Sequence, residues 1–512
     1  MDRKSLDAKT DVAMAENAGH IAVNDIVDLD QRIQDLVAVA PPFYKNKSLF
    51  RLYLLIIPTC LCAAITLGFD ASMMSGLQAV PSWDEYFGHP RGALLGIMSA
   101  ILPLGCVVAT PFISLVGDRY GRRMGIFVGA VIMIIGAVIQ GASVHFAMFL
   151  VSRFIIGFGL VFANAYAPML IGELAHPKER QVITSLYQTS WYIGAILAAW
   201  VTFGTFSIPS EWSWRIPSLL QAAPAVLPIS FVFCLPESPR WLIANGRSEE
   251  AKAMLVKWHA NGNEDDELVK LEFIQMRNVI EAEVSNETGW KELFKSPGNR
   301  KRVFILVCLG CFSQWSGNGL VSYYLVRVLE TVGVTDARER NILNGCLMIF
   351  NWLTSVASAF LTAYMKRRTQ FLISVGGLFN EDHNTAAGKA VIAMLFLFYF
   401  FYNLAFNALL YSYPVEILPY PIRAKGFSLL MFFGKASNFI NTMVNPIGLQ
   451  ALAWKFYFVY VAWLAVELAI VWKFFIETKG PSLEAIAAVF DGHDASVLSE
   501  DSDLKKGESE KH

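Results

Sequence analysis

The sequence predicts an all-α membrane protein of two six-helix halves, twelve spans in all, with the ninth truncated. Composition, run length and an internal repeat predict it. Of 512 residues, 54% are hydrophobic and only 17% are charged, whereas an ordinary soluble domain carries about 25% charged residues. The apolar residues gather in runs of about 20, the length a helix needs to cross roughly 30 Å of hydrocarbon. A net charge of −1 with no local basic stripe excludes nucleic acid as a partner. The seven cysteines all fall inside apolar runs, at spacings of neither a metal site nor a secreted disulfide framework, and read as small apolar fillers. No metal or cofactor is implied.

Residues 1–50 mix acids, bases and alanine without a long apolar stretch, which reads as a cytosolic tail rather than a cleavable signal. The N-terminal half, 51–236, holds spans at about 52–71, 93–116, 124–142, 146–170, 183–205 and 217–235. A polar linker, 237–300, follows, with charges spaced as in short surface helices. The C-terminal half, 301–477, holds spans at about 302–325, 341–364, 390–413, 427–448 and 455–476, with a stub near 371–379 that is counted as the ninth. The tail, 478–512, is polar and charged enough to predict disorder.

Lys and Arg cluster in alternate short loops: Lys45, Lys47 and Arg51 before the first span, then Arg119, Arg122 and Arg123, then Lys178 and Arg180, then Lys366, Arg367 and Arg368, then Arg423 and Lys425. Positive loops stay inside, so both termini and the linker are expected in the cytosol. The halves repeat. Glu173 precedes Arg180 by seven residues, as Glu416 precedes Arg423; Arg122 and Arg123 recur as Arg367 and Arg368; Glu237 in PESPR recurs as Glu477 in IETKG. Parallel repeats of this kind place a substrate site at their interface near the midplane.

The ninth span is the weak point. Its apolar run, FLISVGGLF, reaches only about 14 Å as a helix before Asn380, Glu381, Asp382, His383 and Asn384. Yet two crossings must separate Arg367 from Lys425 if both are cytosolic. A deletion, or a short wedge helix that thins the bilayer, is expected.

Ionisable residues inside apolar spans are functional candidates by default. Asp70 in the first span and Arg153 in the fourth qualify; Glu467 in the last reads as a wetted structural acid. The motifs GDRYGRR (117–123), SRFIIGFG (152–159), PESPRW (236–241) and ETKG (477–480) resemble those of the sugar-porter family of the major facilitator superfamily, over about residues 50–485. The stretch 173–196 is similar to the fungal lactose-permease and hexose-transporter branch.

The resemblance implies the major facilitator fold, alternating access and carriage of a lactose-like sugar or a hexose with a proton, by a monomer in the lipid of the plasma membrane. It makes Asp70 and Arg153 a proton-coupling pair. It assigns sugar contacts to Gln188, Gln314, Asn318, Asn351, Tyr411 and Asn438. Tyr411 stands where many members have Trp; Asn318 has moved one place, and Gly319 fills its usual slot. It assigns a cytosolic gate network to Asp118, Arg119, Arg122, Arg123, Glu173, Arg180, Glu237, Arg240, Glu416, Arg423 and Glu477. The second-half repeat of GDRYGRR lacks the acid, which predicts a weaker latch there. A structural ion pair, helix-joining amides and positive-inside topology are the plainer readings of the same residues. An uncoupled facilitator, a sugar sensor and a transport-defective product are the alternative functions; no nucleophile, metal cluster or phosphate loop marks an enzyme.

Overall fold

The computed structural model describes residues 32–33, 35–285, 290–331, 336–362, 365–381, 388–407, 409–410, 412–418, 420–452, 455–478 and 489–490. Every regular element among them is helical. In chain order the principal helices are α1 (Lys47–Leu77), α2 (Gly92–Gly141), α3 (Phe146–Leu174), α4 (Arg180–Thr205) and α5 (Trp212–Cys234). Three linker helices follow, α6 (Pro239–Ala244), α7 (Ser248–His259) and α8 (Glu267–Ser285). The second half supplies α9 (Pro297–Trp315), α10 (Asn318–Thr331), α11 (Ala337–Thr362), α12 (Arg367–Glu381), α13 (Gly388–Tyr402), α14 (Tyr420–Leu452) and α15 (Phe456–Phe474).

Seven stretches of the described residues are long and apolar enough to span a membrane by themselves. Helices α4, α11 and α14 are long enough but more polar, because they carry the amides and the lysine described below. A polar helix survives in hydrocarbon where its polar side chains face protein or water.

The described residues form two compact units. The smaller draws on 1–57, 169–184 and 233–287, the larger on 58–168, 185–232 and 288–512. In the smaller unit the linker helices α6, α7 and α8 pack on one another, and α7 packs on the start of α1. Buried Leu242, Leu255 and Met276 form part of its interior.

In the larger unit, helices approach through glycine. A Cβ on Gly129 would lie 2.7 Å from the Gly159 carbonyl oxygen, and one on Gly159 equally close to that of Gly129. Gly157 meets the Leu102 carbonyl in the same way, and Gly68 and Gly194 lock α1 to α4. So α3 touches α2 near both residues 102 and 130, which requires α2 to fold back between them. The reversal is at Gly121, whose φ of 87° and ψ of 175° leave the helical region; positive φ is where glycine costs least. One run of helix thus provides the second and third spans.

The ninth span, α12, is a helix of 15 residues, about 22 Å long. It extends the nine-residue apolar run at both ends, to Arg367 and to the backbone of Asn380 and Glu381. Asp382, His383 and Asn384 lie outside the described residues, as does Tyr411.

Candidate transport site

Asp70, near the C-terminal end of α1, and Arg153, in α3, are 2% and 1% exposed. The guanidinium donates two roughly parallel hydrogen bonds, to Oδ1 at 3.1 Å and to Oδ2 at 3.4 Å. The two charges the sequence singled out are therefore brought together. A buried, forked pair has little to gain from solvent and much to lose from separation. Arg153 Nε has no hydrogen-bond partner, and Gln221 of α5 stands beside the Asp70 carboxylate.

The seventh span is broken. α9 ends at Trp315, Gly317 has a φ of +97°, and α10 begins at Asn318. Asn318 donates to the Tyr402 hydroxyl at 3.1 Å and accepts from Ser322, so its displaced amide is committed to protein. Gly319 explains the departure at the neighbouring position. A Cβ there would sit 2.5 Å from Asn441 Oδ1, and the space left by glycine admits Asn441, whose amide donates to the Gln314 backbone carbonyl at 2.6 Å. Beyond the break, α10 is tied back to α1 by Gln78, which donates to the Tyr323 carbonyl at 2.7 Å.

The other expected sugar contacts divide. Asn351 is fully buried; its carbonyl and amide oxygens face the Asn403 amide at 3.3–3.4 Å, while its own Nδ2 has no partner. Asn403 also accepts from the Tyr192 hydroxyl at 2.5 Å, where α13 passes into a π-turn, Asn403–Asn407, a distortion frequent at functional sites. Asn438 reaches the Tyr323 hydroxyl at 3.5 Å and leaves a buried Oδ1 unpartnered. Gln188 is half-buried on α4 and makes no side-chain hydrogen bond among the described residues. Buried polar atoms without partners cost free energy, and hydroxyls of a ligand can satisfy them.

Gln314 and Asn438 line a cavity of about 60 Å³ together with Gly310, Ser313, Gly434 and Lys435. That is room for about two waters, so a larger ligand enters only as the helices part. A larger cavity, about 430 Å³ and lined by Val444, Val459, Trp463 and Val466, is apolar and lies between α14 and α15; it holds none of the expected site residues. Glu467 is fully buried, and the Ser316 hydroxyl at the break in the seventh span donates to it at 2.8 Å.

The gate residues are organised locally. In the larger unit Arg122 donates to the Gly117 carbonyl and Arg123 to that of Val232, while Arg119 lies over the Tyr120 ring; Asp118 adds its charge beside Tyr166 and Arg122. The second half does have acids for its arginines. Glu416 accepts from the Arg367 guanidinium at 3.3 Å, and Glu477 accepts the Arg367 and Arg368 backbone N–H groups at 2.8 and 3.1 Å. A carboxylate at the first turn of α12 answers the positive end of the helix dipole. The Arg423 side chain lies outside the described residues.

In the smaller unit, Arg180 approaches Glu272 at 3.4 Å within the charge field of Glu173 and Arg240, and Glu237 accepts from the Ser238 N–H. Glu272 also binds His259 Nδ1 at 2.9 Å, and His259 Nε2 reaches the carbonyl of Leu174, the last residue of α3, at 3.1 Å. Burial pushes the His259 imidazole down, but the adjacent Glu272 carboxylate outweighs it and the net shift is upward. Burial likewise pushes Glu272 up, and His259, Arg180 and His176 together bring it below its ordinary value.

Sequence reasoning missed Lys435, Asn403, Asn441 and the His259–Glu272 pair. Lys435 carried the signal that identified Asp70, an ionisable residue well inside a span. The other three become visible only when distant helices meet.

The sequence profile described as sugar (and other) transporter matches residues 55–490. Similar curated proteins include the MFS-type transporter oryC of Aspergillus oryzae, 30% identical over 462 residues and 85% of each chain. The high-affinity glucose transporter of Kluyveromyces lactis is 27% identical, over 87% of this chain and 86% of its own. Among solved structures, the inward-open xylose transporter XylE from E. coli aligns at a TM-score of 0.71 and 21% identity, covering 86% of this chain and 99% of that one; this likeness concerns the fold.

Proposed function

Since this chain belongs to the sugar-porter family of the major facilitator superfamily and is a multi-pass membrane transporter, we propose that it carries a lactose-like sugar or a hexose across the plasma membrane in symport with a proton. Both termini lie in the cytosol in this reading, and the protein works as a monomer. The Asp70–Arg153 pair carries the proposal. While the guanidinium neutralises the carboxylate, Asp70 keeps its charge; when substrate binding or a helix shift separates them, an unpaired carboxylate in hydrocarbon takes up a proton. Release on the other side re-forms the pair. Gln188, Gln314, Asn351 and Asn438 supply amides for the sugar hydroxyls, and the arginine–glutamate groups at the helix ends act as the latch between states.

The test is uptake of radiolabelled lactose and glucose by transporter-deficient yeast at acid and neutral pH, with Asp70→Asn alongside. Uptake stimulated by acid and lost in Asp70→Asn is the expected result. Uptake indifferent to pH and to the substitution would leave a facilitator.

A further inference from the structure

Lys435 has no role in the account above. It lies in α14, ten residues from Lys425, about 15 Å along the helix and so near the middle of a roughly 30 Å hydrocarbon core. Backbone packing fixes its position: a Cβ on Gly310 would lie 3.1 Å from the Gly434 amide nitrogen and from the Leu430 carbonyl, so α9 and α14 approach closely immediately beside it. Lys435, half-buried, lines the cavity with Gln314, Ser313 and Asn438. No carboxylate of the described residues stands within ion-pairing distance of it, whereas the other deep basic residue, Arg153, has Asp70. Cys106 of α2 lies within electrostatic reach of both Lys435 and Asp70, so the lysine belongs to the same central region as that pair.

A half-buried lysine at mid-membrane depth marks a substrate or ion path, and an anion there gains a pairing that a neutral sugar does not. The same cavity presents a buried acceptor without a partner, Asn438 Oδ1, which a hydroxyl donor would satisfy. One ammonium with amides around it matches a ligand that bears hydroxyls and a single negative charge. A phosphate dianion would call for more donors than one lysine supplies.

We propose that the substrate of this site is a carboxylated sugar, an aldonate or uronate, whose carboxylate pairs with Lys435 while its hydroxyls meet Asn438 and Gln314. This rests on the transporter reading of the chain and moves its substrate from a neutral sugar to a sugar acid. It has an electrical consequence. A monoanion carried with one proton moves no net charge, whereas a neutral sugar carried with one proton moves one positive charge.

The experiment uses the full-length protein purified and reconstituted in proteoliposomes, with uptake of radiolabelled gluconate, galacturonate, glucose and lactose driven by an inward proton gradient, and membrane current recorded in parallel. Lys435→Gln and Lys435→Arg are compared with the parent, each first shown to elute as a single species of the same size. The acids are expected to be taken up without current. Lys435→Gln is expected to lose about 30-fold or more of that uptake, the loss of one buried charge pair, and Lys435→Arg to retain most of it. Glucose or lactose taken up by the parent with current, and the acids refused, would overturn the proposal and leave the sugar-carrier reading intact. A loss in Lys435→Gln that is equal for acids and neutral sugars would also overturn it, and would mark the lysine as a partner in proton coupling. No uptake of any of the four by the parent would overturn both.

Discussion

Asp70 and Arg153 form one buried pair on which both stability and the proposed coupling turn. Each alone would be a charge stranded in hydrocarbon, and breaking a buried pair costs about 3–5 kcal/mol because one ion is left behind. Arg153→Met is therefore expected to lower the thermal midpoint of the detergent-purified protein sharply, and the double variant Asp70→Asn/Arg153→Met to recover most of the loss. Equal midpoints for the single and double variants would mean that the carboxylate is not held by the guanidinium. Both residues were legible from the sequence, because an ionisable group in a span needs no structure to stand out. Lys435 was as legible by the same rule. What the sequence could not convey was its company: Gly310, Ser313 and Gln314 come from α9, more than a hundred residues away, and only their convergence makes a cavity. Asn441 was hidden for a sharper reason, since its place depends on a side chain that Gly319 lacks.

Helices in this chain are joined by what their faces omit as much as by what they carry. At Gly157 and Gly129 the neighbour is backbone, which cannot swing aside, so Gly157→Val is expected to cost about 1–3 kcal/mol by overpacking. The check is the fraction of fluorescently tagged protein eluting as a single peak: an unchanged fraction would show that α2 and α3 separate readily. The end of α3 is held differently, by His259 on the Leu174 carbonyl. Because the folded His259 pKa is raised above its ordinary 6.5, its contribution is full below that value and is lost as pH rises through the folded pKa. Because the folded Glu272 pKa is lowered below 4.5, its contribution is full above that value and is lost as pH falls through the folded pKa. Both are present together between about 4.5 and 6.5. His176, which faces His259 at 5.4 Å between ring centres, is pushed down to about 4 by burial and then by His259, and is mainly neutral over the upper part of that window. The protection of amides at the end of α3, taken relative to intrinsic exchange at each pH, should therefore be greatest near pH 5.5 and fall as pH rises through the folded His259 pKa, and His259→Gln should remove that dependence. A protection profile flat in pH, the same in both proteins, would separate the histidine from the helix end.

The whole chain obeys its repeat except where the ninth span falls short, and that exception has a consequence for the membrane around it. The repeat, the spans and the motifs were legible because hydropathy and charge are written locally; the ninth span was legible only as a defect, since nine apolar residues do not disclose where a helix ends. The helix runs 15 residues, gaining its first turn from Arg367 and Arg368, whose backbone N–H groups Glu477 accepts. Its described residues reach about 22 Å, some 8 Å less than a hydrocarbon core of roughly 30 Å. Mismatch costs a fraction of a kcal/mol per Å, so this one helix accounts for a few kcal/mol of bilayer deformation, relieved where the membrane is thin. Transport by protein reconstituted in phosphatidylcholines of increasing acyl length is thus expected to peak at a shorter chain than is usual for a transporter with twelve full spans, and to fall several-fold in the thickest bilayers. Replacing Glu477 with Gln should sharpen that fall, because it weakens the first turn that the short helix depends on. A profile that peaks in thick bilayers would mean that the residues beyond Glu381 complete the crossing.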